Sequence, residues 1–230
     1  MRTLGLLAGM SWESSAIYYR RLNELVRDRL DGLHSAELLM RSVDFAPIAA
    51  LQASDDWDRL TQMMIDVARR LEAGGAEAVM ICSNTMHRMA DEVAAAIGVP
   101  LLHIGDATAT AIKAAGSARP LLLGTRFTME GDFYRARLRD RHGLDVMLPD
   151  AAGRALVNRV IYEELCLGRI TDASRAAYLA IVEQARGAGA DGVIFGCTEV
   201  GPLIGGLDLG VPVFDTAELH CIAGVDFMLG

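Results

Sequence analysis

The sequence predicts an α/β protein made of two pseudo-symmetric, doubly wound parallel-sheet domains, with a shared site in the cleft between them. Two observations carry this. Strand-length apolar runs alternate with longer helical patterns along the whole chain, the pattern of parallel sheets covered by helices. The chain also resembles itself at about half its length: 75–85 lies over 189–199, Gly9 over Gly124, and Gly98-Val99-Pro100 over Gly210-Val211-Pro212. The offsets are 115 for Gly9/Gly124, 114 for Ser83/Cys197 and 112 for Gly98/Gly210. One such match is weak; three in the same order argue for duplication.

In chain order, strands are expected at 4–8, 38–43, 78–82, 101–104, 120–124, 145–148, 192–195 and 211–214. Helices are expected at 13–30, 56–73, 88–96, 107–115, 132–139, 154–166, 172–186 and 217–228. Gly98-Val99-Pro100 and Gly210-Val211-Pro212 each close a helix and open a short strand. The first domain is expected over 1–104 with 215–230 returning to it, and the second over 105–214. No Ser/Pro/Gly-rich linker separates them, and low-complexity segments are absent.

Composition excludes several classes. Of 230 residues, 52% are hydrophobic and 23% charged, enough to bury a core and unlike a disordered chain. No apolar run approaches the roughly 18 residues of a membrane span, and the start of the chain reads as a first strand rather than a signal peptide. The four cysteines show no CxxC or Cys/His ligand spacing, so neither a zinc site nor a disulfide framework is indicated, and a reducing cytoplasm is expected. A net charge of −8 without a basic stripe argues against nucleic acid. A small anionic ligand stays compatible, given local attraction.

In open parallel sheets, ligands sit beyond the carboxyl ends of the strands. Four polar tips fall there, in symmetry-related pairs: Gly9-Met10-Ser11, Ser83-Asn84-Thr85, Gly124-Thr125-Arg126-Phe127-Thr128 and Gly196-Cys197-Thr198-Glu199. Backbone N–H groups and Ser, Thr and Asn side chains supply donors for a carboxylate without an arginine cluster. Each tip, taken singly, also reads as an ordinary N-cap.

The cysteines divide. Cys197 is either an inert buried residue or, at the start of a helix, a thiol with a lowered pKa. Cys82 alternates with Met80 and points into packing; Cys166 and Cys221 fall in helical patterns and read as core. Among the histidines, His87 caps or buffers the Ser83 tip and His220 sits near the same end. His103 is a candidate support for the cleft; His34 and His142 read as solvated. Arg135–Arg141 reads as a solvated helix face.

At these residues the chain resembles the aspartate/glutamate racemase superfamily, which includes hydantoin racemase, maleate isomerase and arylmalonate decarboxylase. The resembling motifs are Gly9-Met10-Ser11-Trp12-Glu13-Ser14-Ser15, Ser83-Asn84-Thr85-Met86-His87, Gly124-Thr125-Arg126-Phe127-Thr128-Met129 and Gly196-Cys197-Thr198-Glu199. They span essentially the whole chain and look closest to the branch acting on aspartate and glutamate.

The resemblance implies a cofactor-independent, metal-free racemase, a homodimer, in which two opposed cysteines flank the substrate Cα. This chain departs from that pattern: Ser83 stands where the family has its first cysteine, directly before Asn-Thr. Cys82, one residue upstream, faces the other way in a strand and does not substitute.

The expected catalytic residues are therefore Cys197 as base and Ser83 as the weaker opposed partner, since a serine hydroxyl does not titrate near neutrality. The expected substrate contacts are Met10, Ser11, Gln52, Asn84, Thr85, Thr125, Thr128, Thr198 and Glu199. Gln52, placed in a loop after Asp44-Phe45-Ala46-Pro47, is matched to a side-chain carboxylate. Glu199 steers an ammonium, or serves only the helix dipole. By the resemblance, Cys197 serves the L enantiomer, so L-aspartate or L-glutamate is expected to be processed better than the D forms. A single-cysteine maleate isomerase or arylmalonate decarboxylase, and a carboxylate-binding protein without catalysis, are the competing readings.

Overall fold

The computed structural model describes residues 1–230, and they form two compact units: Met1–Ile104 with His220–Gly230, and Gly105–Leu219. The return to the first unit, expected from residue 215, begins at His220.

The first unit runs β1 (Leu4–Ala8), α1 (Trp12–Leu30), β2 (Leu38–Ser42), α2 (Phe45–Ala53), α3 (Trp57–Ala73), β3 (Ala78–Ile81), a 3₁₀ turn (Thr85–Met89), α4 (Ala90–Ala95) and β4 (Leu101–Leu102). Its sheet is wholly parallel in the order β2-β1-β3-β4. Strands β1 and β3 are buried along their whole length. That is why they read as unbroken apolar runs rather than alternating ones. Helix α3 covers them with Trp57, Leu60, Met64, Val67, Ala68 and Leu71, a spacing of three and four residues that lays one apolar stripe on the sheet.

Helix α2 was not expected. Pro47 suggests a loop, yet it sits in the first turn, where a missing N–H costs nothing, and Asp44 caps Ala46. The loop predicted to carry Gln52 is thus a helix.

Helix α5 (Ile104–Ala114) starts at the last residue of this stretch. The second unit continues with β5 (Leu121–Gly124), α6 (Arg126–Glu130), α7 (Asp132–His142), α8 (Ala151–Glu163), a 3₁₀ turn (Leu165–Leu167), α9 (Asp172–Gly187), β6 (Val193–Gly196), α10 (Val200–Ile204) and β7 (Val213–Asp215), and α11 (Thr216–Leu229) starts there and belongs to the first unit from His220 onward. Its sheet is parallel in the order β5-β6-β7.

The strand expected at 145–148 is reduced to one parallel bridge, Leu121 with Met147. Its hydrogen bonds run from Met147 N–H to Pro120 O and from Leu122 N–H to Met147 O. Pro149 and the N-cap Asp150 end it at once. Counting that bridge, the second sheet repeats the order of the first, with Met147 in the place of β2. The duplication read from sequence therefore appears as one topology used twice, with an eroded edge in the second copy.

The other differences are local. Gly210 closes its turn at φ +67°, whereas Gly98 needs no positive φ and is held by Glu72 Oε1 instead. Arg137 and His142, expected in solvent, both bind the Asp106 carboxylate at 2.7–2.8 Å. Burial alone would raise the Asp106 pKa, but these two partners hold it below the usual carboxylate value. Cys166, expected in a core, is exposed on the turn after α8. No helix is long and apolar enough to cross a membrane.

Candidate active site

In a doubly wound sheet, the crevice opens where the chain leaves in opposite directions from neighbouring strands. In the first unit that point lies between β1 and β3, which pair Leu7 with Ile81. The Gly9-Met10-Ser11 and Ser83-Asn84-Thr85 tips follow directly.

Gly9 sits at φ +98°, and a Cβ there would lie 2.2 Å from the Val43 carbonyl oxygen, so only glycine lets the chain turn out of β1. The Gly9 N–H donates to Ser15 Oγ at 2.8 Å, and the Ser15 hydroxyl donates to Ser11 O at 2.7 Å. Ser11 itself caps α1 by accepting from the Ser14 N–H. Met10 is buried, which leaves its backbone rather than its thioether for any ligand.

The second tip of this unit is more tightly held. Cys82 is buried and its N–H donates to Leu7 O; burial pushes its thiol pKa far up. Ser83 is half-buried, with its N–H bonded to Ile81 O. Asn84 and Thr85 follow it, both buried. Gln52 reaches the same region from α2, its Nε2 3.3 Å from Met86 Sδ. His87 is buried against the Ser83 carbonyl at 2.7 Å and lies 4.5 Å, ring to ring, from His103. His220 completes the cluster, bound to Tyr18 Oη at 2.9 Å and Leu102 O at 2.8 Å. Burial depresses its pKa to about 4, so it is neutral.

In the second unit the switch point lies between β5 and β6, paired Gly124 with Gly196. Thr125 leaves β5 as the N-cap of α6, accepting from the Thr128 N–H. Thr128 is fully buried with its hydroxyl 3.2 Å from that of Thr125, which makes it a support for Thr125 rather than a surface for a ligand.

Cys197 and Thr198 leave β6 half-buried, and both donate to one carboxylate oxygen, Glu199 Oε2, at 2.9 and 2.7 Å. The thiol pKa is therefore not lowered, as the sequence suggested, but raised well above its ordinary value, by burial first and by the Glu199 carboxylate second. Burial takes the thiol out of water, α10 is five residues long and starts only at Val200, so it brings little dipole, and the Glu199 carboxylate sits one hydrogen bond away.

Two tyrosines that the sequence did not mark feel the charge of this thiol. The Tyr162 hydroxyl is pushed up to about 12 by burial and by the fields of Cys197, Cys166 and Glu199, which Arg126 partly opposes. Tyr178, buried and donating to Val157 O, shifts in the same direction. No motif marks either residue; Tyr162 comes from the last turn of α8 and Tyr178 from the middle of α9. No group of three or more His, Cys, Asp or Glu side chains is gathered as a metal site.

These features match known proteins over the full chain. The family model for Asp/Glu/Hydantoin racemase matches residues 7–223. A candidate Asp/Glu racemase from Yersinia pestis superposes with a TM-score of 0.95 at 50% identity, covering 100% of both chains. An aspartate racemase homologue from Pyrococcus horikoshii OT3 gives 0.89 at 32% identity, again over 100% of both chains. The broad specificity amino-acid racemase RacX of Bacillus subtilis is 26% identical over 168 residues, 73% of this chain and 71% of RacX. The chain belongs to the Asp/Glu/Hydantoin racemase family, whose amino-acid racemases are isomerases that work without pyridoxal phosphate.

Proposed function

We propose that this protein racemises L-aspartate or L-glutamate, with Cys197 removing the α-proton and the Ser83 side returning one to the opposite face. The observation that carries the reading is the Cys197–Glu199 hydrogen bond of 2.9 Å, which gives the thiol a built-in proton acceptor. At rest the thiol is protonated, because burial and, second to it, the Glu199 carboxylate raise its pKa. An entering α-ammonium brings positive charge beside this pair and favours thiolate, so the base is generated when substrate is present. Thr125, Thr198, Ser11, Asn84 and Thr85 are assigned to the carboxylates, and Gln52 to the side-chain end.

Ser83 makes the reaction one-sided. A hydroxyl does not titrate near neutrality, so it positions a water or donates weakly rather than acting as an efficient base. Enantiomers have equal free energy in water, so kcat/KM for L to D must equal that for D to L. The asymmetry between the two groups is therefore hidden in net turnover. It appears in α-proton exchange: Cys197 can remove and return a proton on the L face many times before the Ser83 side completes one inversion.

A chiral-chromatography panel of L- and D-aspartate, L- and D-glutamate and maleate tests the reading. Interconversion of an acidic amino acid, abolished by Cys197→Ala, is the expected outcome. Turnover of maleate alone, or ligand binding without turnover, would contradict it. The homodimer implied by the resemblance belongs to the same proposal. Trp12 and Tyr19, exposed seven residues apart on α1, are consistent with a covered face, and light scattering checks it.

A further inference from the structure

Five histidines were read from the sequence, and His87 is the one whose two ring nitrogens are both committed beside a candidate catalytic residue. Its Nδ1 lies 2.7 Å from the Ser83 carbonyl oxygen, and its Nε2 accepts from the Ile104 N–H at 3.1 Å. An amide can only donate, so Nε2 carries no proton and Nδ1–H donates to Ser83 O. The tautomer is thereby fixed, and the ring is neutral. A doubly protonated ring would set an N–H against the Ile104 N–H.

The ring is 3% exposed and backed by His103 at 4.5 Å and His220 at 5.7 Å. It has no free nitrogen to trade a proton with substrate. What it does is mechanical. The Ser83 residue is tied at its N–H to Ile81 O and at its carbonyl to His87, and His87 is tied to the first residue of α5. The Ser83 side chain springs from a backbone held on both sides. Such pinning matters because proton transfer is sensitive to displacements of an ångström or less.

Resting on the racemase reading above, we infer that His87 is the positioning residue of the Ser83 tip: a neutral imidazole strut between the Ser83 carbonyl and the Ile104 amide, needed for proton delivery from the Ser83 side and not for proton removal by Cys197.

The test uses His87→Leu, which removes both hydrogen bonds, and His87→Asn, which keeps a donor at the position of Nδ1. Each is compared with the wild type for net L-to-D conversion and for α-proton exchange from L-aspartate in deuterated water. Circular dichroism confirms folding. In His87→Leu, net conversion should fall about 10- to 100-fold while L-exchange changes less than about 3-fold. His87→Asn should recover part of the conversion, which also serves if the leucine variant does not fold. In a Ser83→Ala background, His87→Leu should add less than about 2-fold, since both act through one group.

Conversion and exchange falling together in a folded variant, or neither falling, would overturn the inference. A wild type that exchanges no α-proton at all would instead overturn the racemase reading, so the two failures are distinguishable.

Discussion

After β3 the chain presents Ser83, its backbone held by Ile81 and a neutral His87; after β6 it presents Cys197, its side chain held by Glu199. Counting the Met147 bridge, both tips leave the third strand position of a parallel sheet, at the same kind of switch point. In the first, the polar partners fix the backbone. In the second, a carboxylate engages the thiol itself. The two units share a scaffold because topology depends on buried strands, and on the proposed reading their chemistry differs at one side chain at the end of each.

The comparison can be broken most severely at its reactive end. Cys197→Ala should lower both L-exchange and net conversion about 10²- to 10⁴-fold, the range of a lost general base, measured by proton NMR and chiral chromatography. Restoring symmetry is the converse. Ser83→Cys should raise net conversion in both directions and exchange from the D enantiomer by about 10-fold or more, because a thiol replaces a group that does not titrate.

The Glu199 contact sharpens the comparison through pH. Burial and then the Glu199 carboxylate raise the Cys197 pKa, so thiolate forms only toward alkaline pH in the free enzyme. Replacing the charge in Glu199→Gln should lower that pKa and move the rise in iodoacetamide alkylation rate toward lower pH. The assay is best run with Cys166 changed to Ser, since that thiol is exposed. A shift toward higher pH would show that Glu199 stabilises the thiolate by another route.

The smallest kinetic effect belongs to Cys82. It is buried in packing, so Cys82→Ala should cost about 1–2 kcal/mol of stability in urea unfolding and leave L-exchange within about 2-fold. A larger loss of exchange would give Cys82 a chemical role.

The sequence made the buried strands and long amphipathic helices plain, because an unbroken run such as Leu121-Leu122-Leu123 admits little else between turns. Parallel topology followed from the alternation. Less legible were elements whose stability is local: Pro47 disguised α2, and Asp145–Leu148 looked like a strand though Pro149 leaves it one bridge. At the site, the internal repeat supplies the register of Ser83 with Cys197, and the alternation of strand faces sets Cys82 apart. The raised Cys197 pKa was not visible, since it depends on where a neighbouring carboxylate folds back. Tyr162 and Tyr178 were invisible for the same reason: they feel the charge of Cys197 from 35 and 19 residues away in sequence.

The central claim is that one thiol faces one hydroxyl in function, and α-proton exchange reads it directly. Each enantiomer of aspartate and of glutamate is incubated with the enzyme in deuterated water, and loss of the α-proton signal is followed at early times. The account predicts exchange from the L form at least about 10-fold faster than from the D form, with D-exchange no faster than net conversion. Equal exchange from both enantiomers would contradict it.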